Sequence, residues 1–284
     1  MKAIVAGCRG QLGRAVMAQG IARGWDVGGF DLPELDITDA RALRRAILEA
    51  APQFVVNCAA FTAVDGAELE EDRALAINGT AVAELARLAD EAGAVLVQLS
   101  TDYVFDGAKS RPYREDDVPR PLSAYGRTKL AGEEAAATAS RHLIVRTAWL
   151  FGDGGSNFVE AIRRQVDSGA RVLRVVADQH GCPTYAEDLA SAVIALVEVG
   201  ASGIVHAVNA GAASWYGFAR EIASILGKEV EVVPITTAEA ARRAVRPAYS
   251  VLDTSRLQGL LGASLPSWQD ALRRYLGRTL AAQA

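Results

Sequence analysis

The turn Gly7-Cys8-Arg9-Gly10-Gln11-Leu12-Gly13 follows a strand-like apolar run at residues 2–6 and opens an amphipathic stretch at 11–23. No other feature of the chain constrains its fold as much. Glycines between a strand and a helix permit a sharp turn, close approach of backbone to a pyrophosphate, and close helix–strand packing. The helix N-terminus then offers N–H donors and partial positive charge to an anion. A glycine-rich turn alone is equally an ordinary strand–helix connection. Its place at the first such junction favours the phosphate site.

The rhythm of that first unit repeats. Strand-like runs lie at 25–30, 53–57, 94–99 and 142–147, with helical periodicity near 39–50, 70–92 and 125–139. Uninterrupted apolar strands alternating with helices predict an α/β chain with a Rossmann-like, doubly wound parallel sheet. Asp36-Ile37-Thr38-Asp39 supplies cap residues ahead of the second helix. Beyond Trp149 the pattern loosens into a loop at 152–156 and helices near 157–168, 187–199 and 215–226. Strand-like pieces lie at 171–176, 204–208 and 230–235; a brief helix is expected at 237–244 and a last one near 268–280. The expected division gives residues 1–150 plus about 170–200 to a dinucleotide-binding domain. Residues 151–169 plus 201–284 then form a smaller, interleaved C-terminal substrate-binding lobe. The irregular stretch 100–124, long for a loop in a compact domain, is expected to be functional.

Composition excludes several classes. Thirty basic residues against 34 acidic ones leave a net charge of −4, so no nucleic-acid partner is expected. No apolar run is long enough for a membrane helix, and residues 1–7 read as a first strand, not a signal segment. Cys8, Cys58 and Cys182 are scattered without a CxxC pair, which argues against disulfides or structural zinc and makes the cytoplasm the expected location. His142, His180 and His206 show no metal spacing, and no metal is expected. His142 and His206 read as structural, and His180 as a loop residue.

Candidate chemistry gathers at the carboxyl ends of the strands, where ligands bind in doubly wound sheets. Asp31 closes the second strand, where an acid holds an adenosine ribose 2′-hydroxyl. Arg9, inside the glycine turn, points instead to a 2′-phosphate. These two leave NADPH and NADH both open. Tyr125 and Lys129 stand at i, i+4 on one helix face, with Ser123 placed as the cap. Such pairs are common on exposed helices. Yet Lys129 is one of only four lysines among the 30 basic residues, and an ammonium there can hold a ribose and depress a phenol pKa. Hydroxyls in Leu99-Ser100-Thr101-Asp102-Tyr103-Val104-Phe105-Asp106-Gly107 would lie beside that pair. Cys58 and Cys182 read as packing residues, and Trp215, Tyr216 and Trp268 as core anchors. Arg242, Arg243 and Arg246 form either a diphosphate clamp or a solvated helix end.

The segments GCRGQLG (7–13), NCAAFTAVDGAE (57–68), LSTDYVFDG (99–107), YGRTKLAGE (125–133), VRTAWLFG (145–152), NF (157–158), ADQHGCPT (177–184) and SWYGFA (214–219) together carry a family resemblance. The chain resembles the extended short-chain dehydrogenase/reductases, and within them the dTDP-4-dehydrorhamnose reductase branch, nearly end to end. The resemblance implies a nucleotide-sugar substrate and reduction of a C4 ketone with NADPH or NADH. It casts Tyr125 as general acid, Lys129 as the ribose ligand that lowers the Tyr125 pKa, and Thr101 as the group that polarises the carbonyl. Gly7, Gly10, Gln11, Leu12 and Gly13 would cradle the pyrophosphate, Asp31 would meet the ribose, and Asp36 and Ile37 would flank the adenine. Ala60, Phe61 and Thr62 would line the coenzyme channel. Asp102, Tyr103 and Trp149 would contact the deoxysugar, with Asn157, Gln179 and Arg246 toward the nucleotide. Phe61 departs from the histidine common there in the family. A homodimer is the family's habit. Other nucleotide-deoxysugar reductases, epimerases and non-catalytic subunits of the same fold are the alternatives.

Overall fold

The computed structural model describes residues 1–281. Five strands alternate with helices in the first half: β1 (Lys2–Ala6), β2 (Asp26–Phe30), β3 (Phe54–Asn57), β4 (Val95–Thr101) and β5 (His142–Thr147). They form a parallel sheet with a sixth strand, Gly203–His206, in the order 203–206, β5, β4, β3, β1, β2. Helices cover both faces, as a wholly parallel sheet requires. On one face Leu12, Ala15 and Val16 of the first helix, Gln11–Ala22, pack with Leu189, Val193 and Leu196 of helix Ala186–Glu198. On the other, Leu43 and Ile47 of helix Ala40–Ala50 join Leu85, Leu88 and Ala89 of helix Ala81–Glu91. Asp39 caps the former helix, accepting from the amides of Arg41 and Ala42. Among the described residues no helix is long and apolar enough to cross a membrane.

Two strands exchange the places expected for them. Val172–Val176, assigned to the dinucleotide fold in the 170–200 segment, pairs with Glu231–Ile235 in the smaller lobe. Gly203–His206, assigned to the lobe, extends the main sheet beside β5. The burial patterns explain it. In 172–176 exposed and buried positions alternate, as in a ribbon with one wet face, whereas Val205 and His206 are consecutively buried. The lobe has its own aromatic core, with Phe151, Tyr185, Phe218, Trp268 and Tyr275 packed together.

The stretch expected as one helix over 70–92 is broken. Helices Glu71–Leu75 and Ala81–Glu91 are joined by a wide π turn, Ala76–Thr80. The wider turn pushes Asn78 inward, where it is buried and exchanges hydrogen bonds with the backbone N and O of Phe61 and the Thr128 hydroxyl. Contact with the Tyr125 helix (Ala124–Ala136) is so close that a Cβ on Gly132 would lie 2.1 Å from the Asn78 carbonyl oxygen. Single π turns of this kind recur beside functional sites.

Candidate active site

The glycine turn is shaped by contacts that leave no room for side chains. Gly7 has φ +71°, and a Cβ there would sit 2.6 Å from the Ala59 amide nitrogen. A Cβ on Gly13 would sit 2.1 Å from the Gly7 carbonyl oxygen. Gly10 is the N-cap of helix Gln11–Ala22, whose first turn carries no side-chain cap and no acid. The free amides and the dipole are therefore left for an anion. The Gln11 Oε1 accepts from Asn157 Nδ2 at 3.1 Å, drawing the 152–157 loop over the turn. Asn157 also caps helix Phe158–Asp167 through the Glu160 amide, which gives this expected nucleotide-side residue a structural role as well.

At the adenosine side Asp31 accepts from the amides of Arg9 (2.9 Å) and Leu32 (2.8 Å). Asp36 accepts from the Thr38 amide and hydroxyl. Ile37 is buried in the core beside the sheet, so its side chain serves packing. Ala60 and Phe61 are half-buried and Thr62 is exposed, all directly past β3.

The candidate reacting groups meet at the ends of β4 and β5. Thr101 and Thr147 are register partners there, which puts their side chains on one face of the sheet. Ser123 caps the Tyr125 helix through the Gly126 amide. Close approach is again set by glycine: a Cβ on Gly126 would lie 2.3 Å from the Tyr103 carbonyl oxygen. The Tyr103 and Tyr125 rings pack edge to face at 5.5 Å. Burial pushes the Tyr125 phenol up to about 12, opposed by a hydrogen bond from Thr101 and assisted by the Asp102 charge. Lys129 Nζ donates to the Leu99 carbonyl oxygen at 2.6 Å, and burial brings its ammonium down to about 8. It is thus Thr101 that lowers the tyrosine pKa, while Lys129 is held one turn along the helix on the strand backbone.

Glu133 completes the ladder at i+8 from Tyr125, and its charge is the main influence keeping Lys129 protonated. Glu133→Gln removes an anion that favours the ammonium, so Lys129 should lose its proton at lower pH and the alkaline limb of kcat/KM should move down. A limb that stays in place would contradict this assignment.

Other expected residues fall around this centre with partners of their own. Asp102 is buried, accepting the Thr101 hydroxyl at 3.0 Å and the Ser250 hydroxyl at 2.5 Å; burial raises its carboxyl to about 6. It therefore lies beneath Thr101 and not open to the cleft. Arg246 forms a two-pronged ion pair with Asp65 (3.1 and 2.9 Å) and influences the Tyr103 phenol. Gln179 donates to Thr237. Trp149 has φ +46° and stacks flat on Trp215, centroids 3.5 Å apart and planes within 6°. A Cβ on Gly181 would touch the Trp149 ring at 2.5 Å. Trp215 is thus half of an aromatic platform, beyond its expected anchoring role. A backbone strained on a bulky residue beside a site is of the kind that persists where geometry matters.

Asp65, Ser250 and the stacking of Trp215 on Trp149 escaped sequence reasoning because the partners lie far apart along the chain. Glu133 had a local signal, the same four-residue step that links Tyr125 to Lys129. His206 is buried and held neutral, its pKa brought to about 3 by burial and the Arg146 charge. Cys58 and Cys182 are raised to about 12 by burial, which leaves them inert. Among the described residues no acid, His and Cys cluster could hold a metal ion.

The residues fit a nicotinamide dinucleotide. A Cβ at Gly7 or Gly13 would strike the backbone that shapes the turn, the helix N-terminus is uncapped, and the Thr147 hydroxyl, across from Thr101, is buried without a partner.

Comparison with known proteins identifies the family. The family model "RmlD substrate binding domain" matches residues 1–280. A dTDP-4-dehydrorhamnose reductase of Streptomyces griseus is 45% identical, the match covering 95% of this chain and 91% of that protein. A probable dTDP-4,6-dihydroxy-2-methyloxan-3-one 4-ketoreductase of Streptomyces antibioticus is 44% identical over 100% and 97%. The crystal structure of dTDP-4-dehydrorhamnose reductase from Bacillus anthracis in complex with NADP superposes with a TM-score of 0.94 at 36% identity, covering 98% and 99%. With this fold, this cradle and these matches, the chain belongs to the RmlD substrate-binding-domain family.

Proposed function

We propose that this protein reduces the C4 ketone of dTDP-4-dehydro-L-rhamnose to give dTDP-L-rhamnose, for nucleotide-sugar and surface polysaccharide synthesis. At the coarser level it is an NAD(P)-dependent 4-ketoreductase of dTDP-sugars. The observation that supports the reading most is the Tyr125 phenol hydrogen-bonded to Thr101 at the end of β4, one helical turn from Lys129.

The bound coenzyme supplies hydride to the carbonyl carbon. Everything else falls to side chains of the chain. Gly7, Gly10, Gln11, Leu12 and Gly13 hold the pyrophosphate, Asp31 takes the adenosine ribose, and Lys129 takes the nicotinamide ribose. Tyr125 gives its proton to the C4 oxygen as negative charge develops there. Thr101 turns its one hydroxyl proton from Asp102 toward that oxygen, where burial makes the hydrogen bond count for more. The Trp149–Trp215 platform faces the sugar, and Arg246 turns to the diphosphate.

A second reading, another dTDP-deoxysugar, is favoured by the Streptomyces antibioticus relative, whose name specifies a different ketosugar. Initial rates of coenzyme oxidation discriminate. The expected kcat/KM for dTDP-4-dehydro-L-rhamnose exceeds that for the ketosugar in that relative's name by about tenfold or more, the span that one or two pocket contacts provide. An equal or reversed ratio would contradict the rhamnose assignment while leaving the reductase assignment intact.

A further inference from the structure

The end of β2 and the glycine turn meet in a charged cluster whose members already hold one another. Both Asp31 oxygens are taken by backbone amides, those of Arg9 and Leu32. The Arg9 guanidinium lies across the following turn, donating to the Leu32 carbonyl oxygen at 2.8 Å and to Glu34 Oε1 at 2.7 Å. From the other side Arg14 Nε fixes the Arg9 carbonyl at 2.7 Å. The two side chains of the ion pair are 52% and 57% exposed, so solvent and solutes reach both. The Glu34 carboxyl is held below its ordinary range, chiefly by its hydrogen bond from Arg9, and stays ionised at neutral pH.

In a fold with this glycine turn, the adenosine ribose sits at the end of the second strand. There an acid accepts the 2′-hydroxyl, or a nearby arginine accommodates a 2′-phosphate. Arg9 stands at that place with a carboxylate of the chain itself on its guanidinium. We propose that Glu34 is a specificity-determining residue, an internal competitor that occupies Arg9 and holds the affinity for NADPH down toward that for NADH.

The physics is a competition between two anions for one fork of donors. An exposed arginine–carboxylate pair is weak, because water and salt screen it and two long side chains must be ordered. A phosphate bearing more charge displaces the carboxylate, since bidentate phosphate recognition is what guanidinium geometry favours. Displacement has a cost, because Glu34 loses its partner and stays within repulsive range of the phosphate. NADH brings no charge to that place. The Arg9–Glu34 pair then stays closed, and Asp31 accepts the ribose hydroxyl with the lone pairs its two amides leave free. Both coenzymes are accepted, and Glu34 sets the balance between them.

This inference rests on the coenzyme assignment and not on the choice of sugar, so it is tested with the full chain and no sugar present. Nicotinamide fluorescence gives equilibrium Kd values for NADPH and NADH in the unsubstituted protein, Glu34→Gln, Arg9→Gln and the double variant. In Glu34→Gln the ratio Kd(NADH)/Kd(NADPH) is expected to rise about three- to tenfold, the scale of one exposed charge pair plus the relieved repulsion. In the Arg9→Gln background the same substitution should shift the ratio less than about twofold, since the guanidinium it competes for is gone. A ratio in Glu34→Gln within about twofold of the unsubstituted protein overturns the proposal, on the same scale. So does an equal shift with and without Arg9. Loss of binding for both coenzymes in Glu34→Gln overturns it too, since Glu34 would then shape the turn as a whole. Unsubstituted protein that binds neither coenzyme would overturn the coenzyme assignment along with it, a failure visible before any variant is made.

Discussion

Tyr125→Phe is expected to lower kcat by about 10²–10⁴-fold, the usual contribution of a positioned general acid. The KM for coenzyme should move far less. Only an oxygen and its proton are removed. The ring keeps its edge-to-face contact with Tyr103, and the helix keeps its Ser123 cap and the fit of Gly126 beneath the Tyr103 carbonyl. A structural role would therefore leave the variant nearly as active as the parent. A loss confined to kcat identifies a group acting on the transition state. Thr101→Val should show a smaller loss in the same direction, because the phenol loses the hydrogen bond that opposes its burial-raised pKa. Steady-state kinetics on the two variants, with melting curves alongside, checks both expectations. Unchanged turnover in Tyr125→Phe would remove Tyr125 from the mechanism.

The second large effect is on stability. Arg146, on β5, and Glu133, on the Tyr125 helix, are 1% and 4% exposed and form a two-pronged pair at 2.8 and 2.6 Å. Ser100 donates to the same carboxylate, Arg146 lies over the Phe105 ring, and His206 accepts near its other edge. Removing one member of such a pair leaves the other charged and buried. Arg146→Leu is therefore expected to cost about 3–5 kcal/mol. For a chain of this size the melting temperature should fall by roughly 10 °C. Glu133→Leu in the same protein should restore more than half of that loss, because an apolar pair of similar volume replaces the ions without an orphan charge. A drop of only a degree or two in Arg146→Leu would show that the pair is not what ties β5 to the Tyr125 helix. In the proposed mechanism the pair would also support catalysis, since the Glu133 charge favours the Lys129 ammonium.

Much of this was legible in the sequence where the physics is local. Parallel strands buried on both faces read as continuous apolar runs, so β1, β3, β4 and β5 fall where the apolar runs put them. Tyr125, Lys129 and Thr101 converge because a four-residue helical step and the end of a central strand each specify direction. The exchange of 172–176 with 203–206 shows the limit. Both are short β-branched runs, and only the alternation of burial tells a lobe ribbon from a sheet strand. Long-range partners had no local signature. Ser250 meets Asp102, Asp65 meets Arg246 and Trp215 backs Trp149 across gaps of 148, 181 and 66 residues respectively, the last from position 149 to 215. The π turn at 76–80 was hidden for a different reason. Its residues have ordinary helical periodicity, and only the fit of Asn78 against Phe61 and Thr128 selects the wider turn.

The chain is expected to consume its coenzyme in reducing a ketosugar, with Tyr125 as the proton source. The most direct measurement incubates purified protein with dTDP-4-dehydro-L-rhamnose and a limiting amount of NADPH or NADH, then counts coenzyme oxidised and dTDP-L-rhamnose formed. Equal amounts of the two are expected, and a rate that collapses in Tyr125→Phe. Conversion of the sugar without net oxidation of coenzyme, as in an epimerase, would contradict it, and so would equal rates in parent and variant.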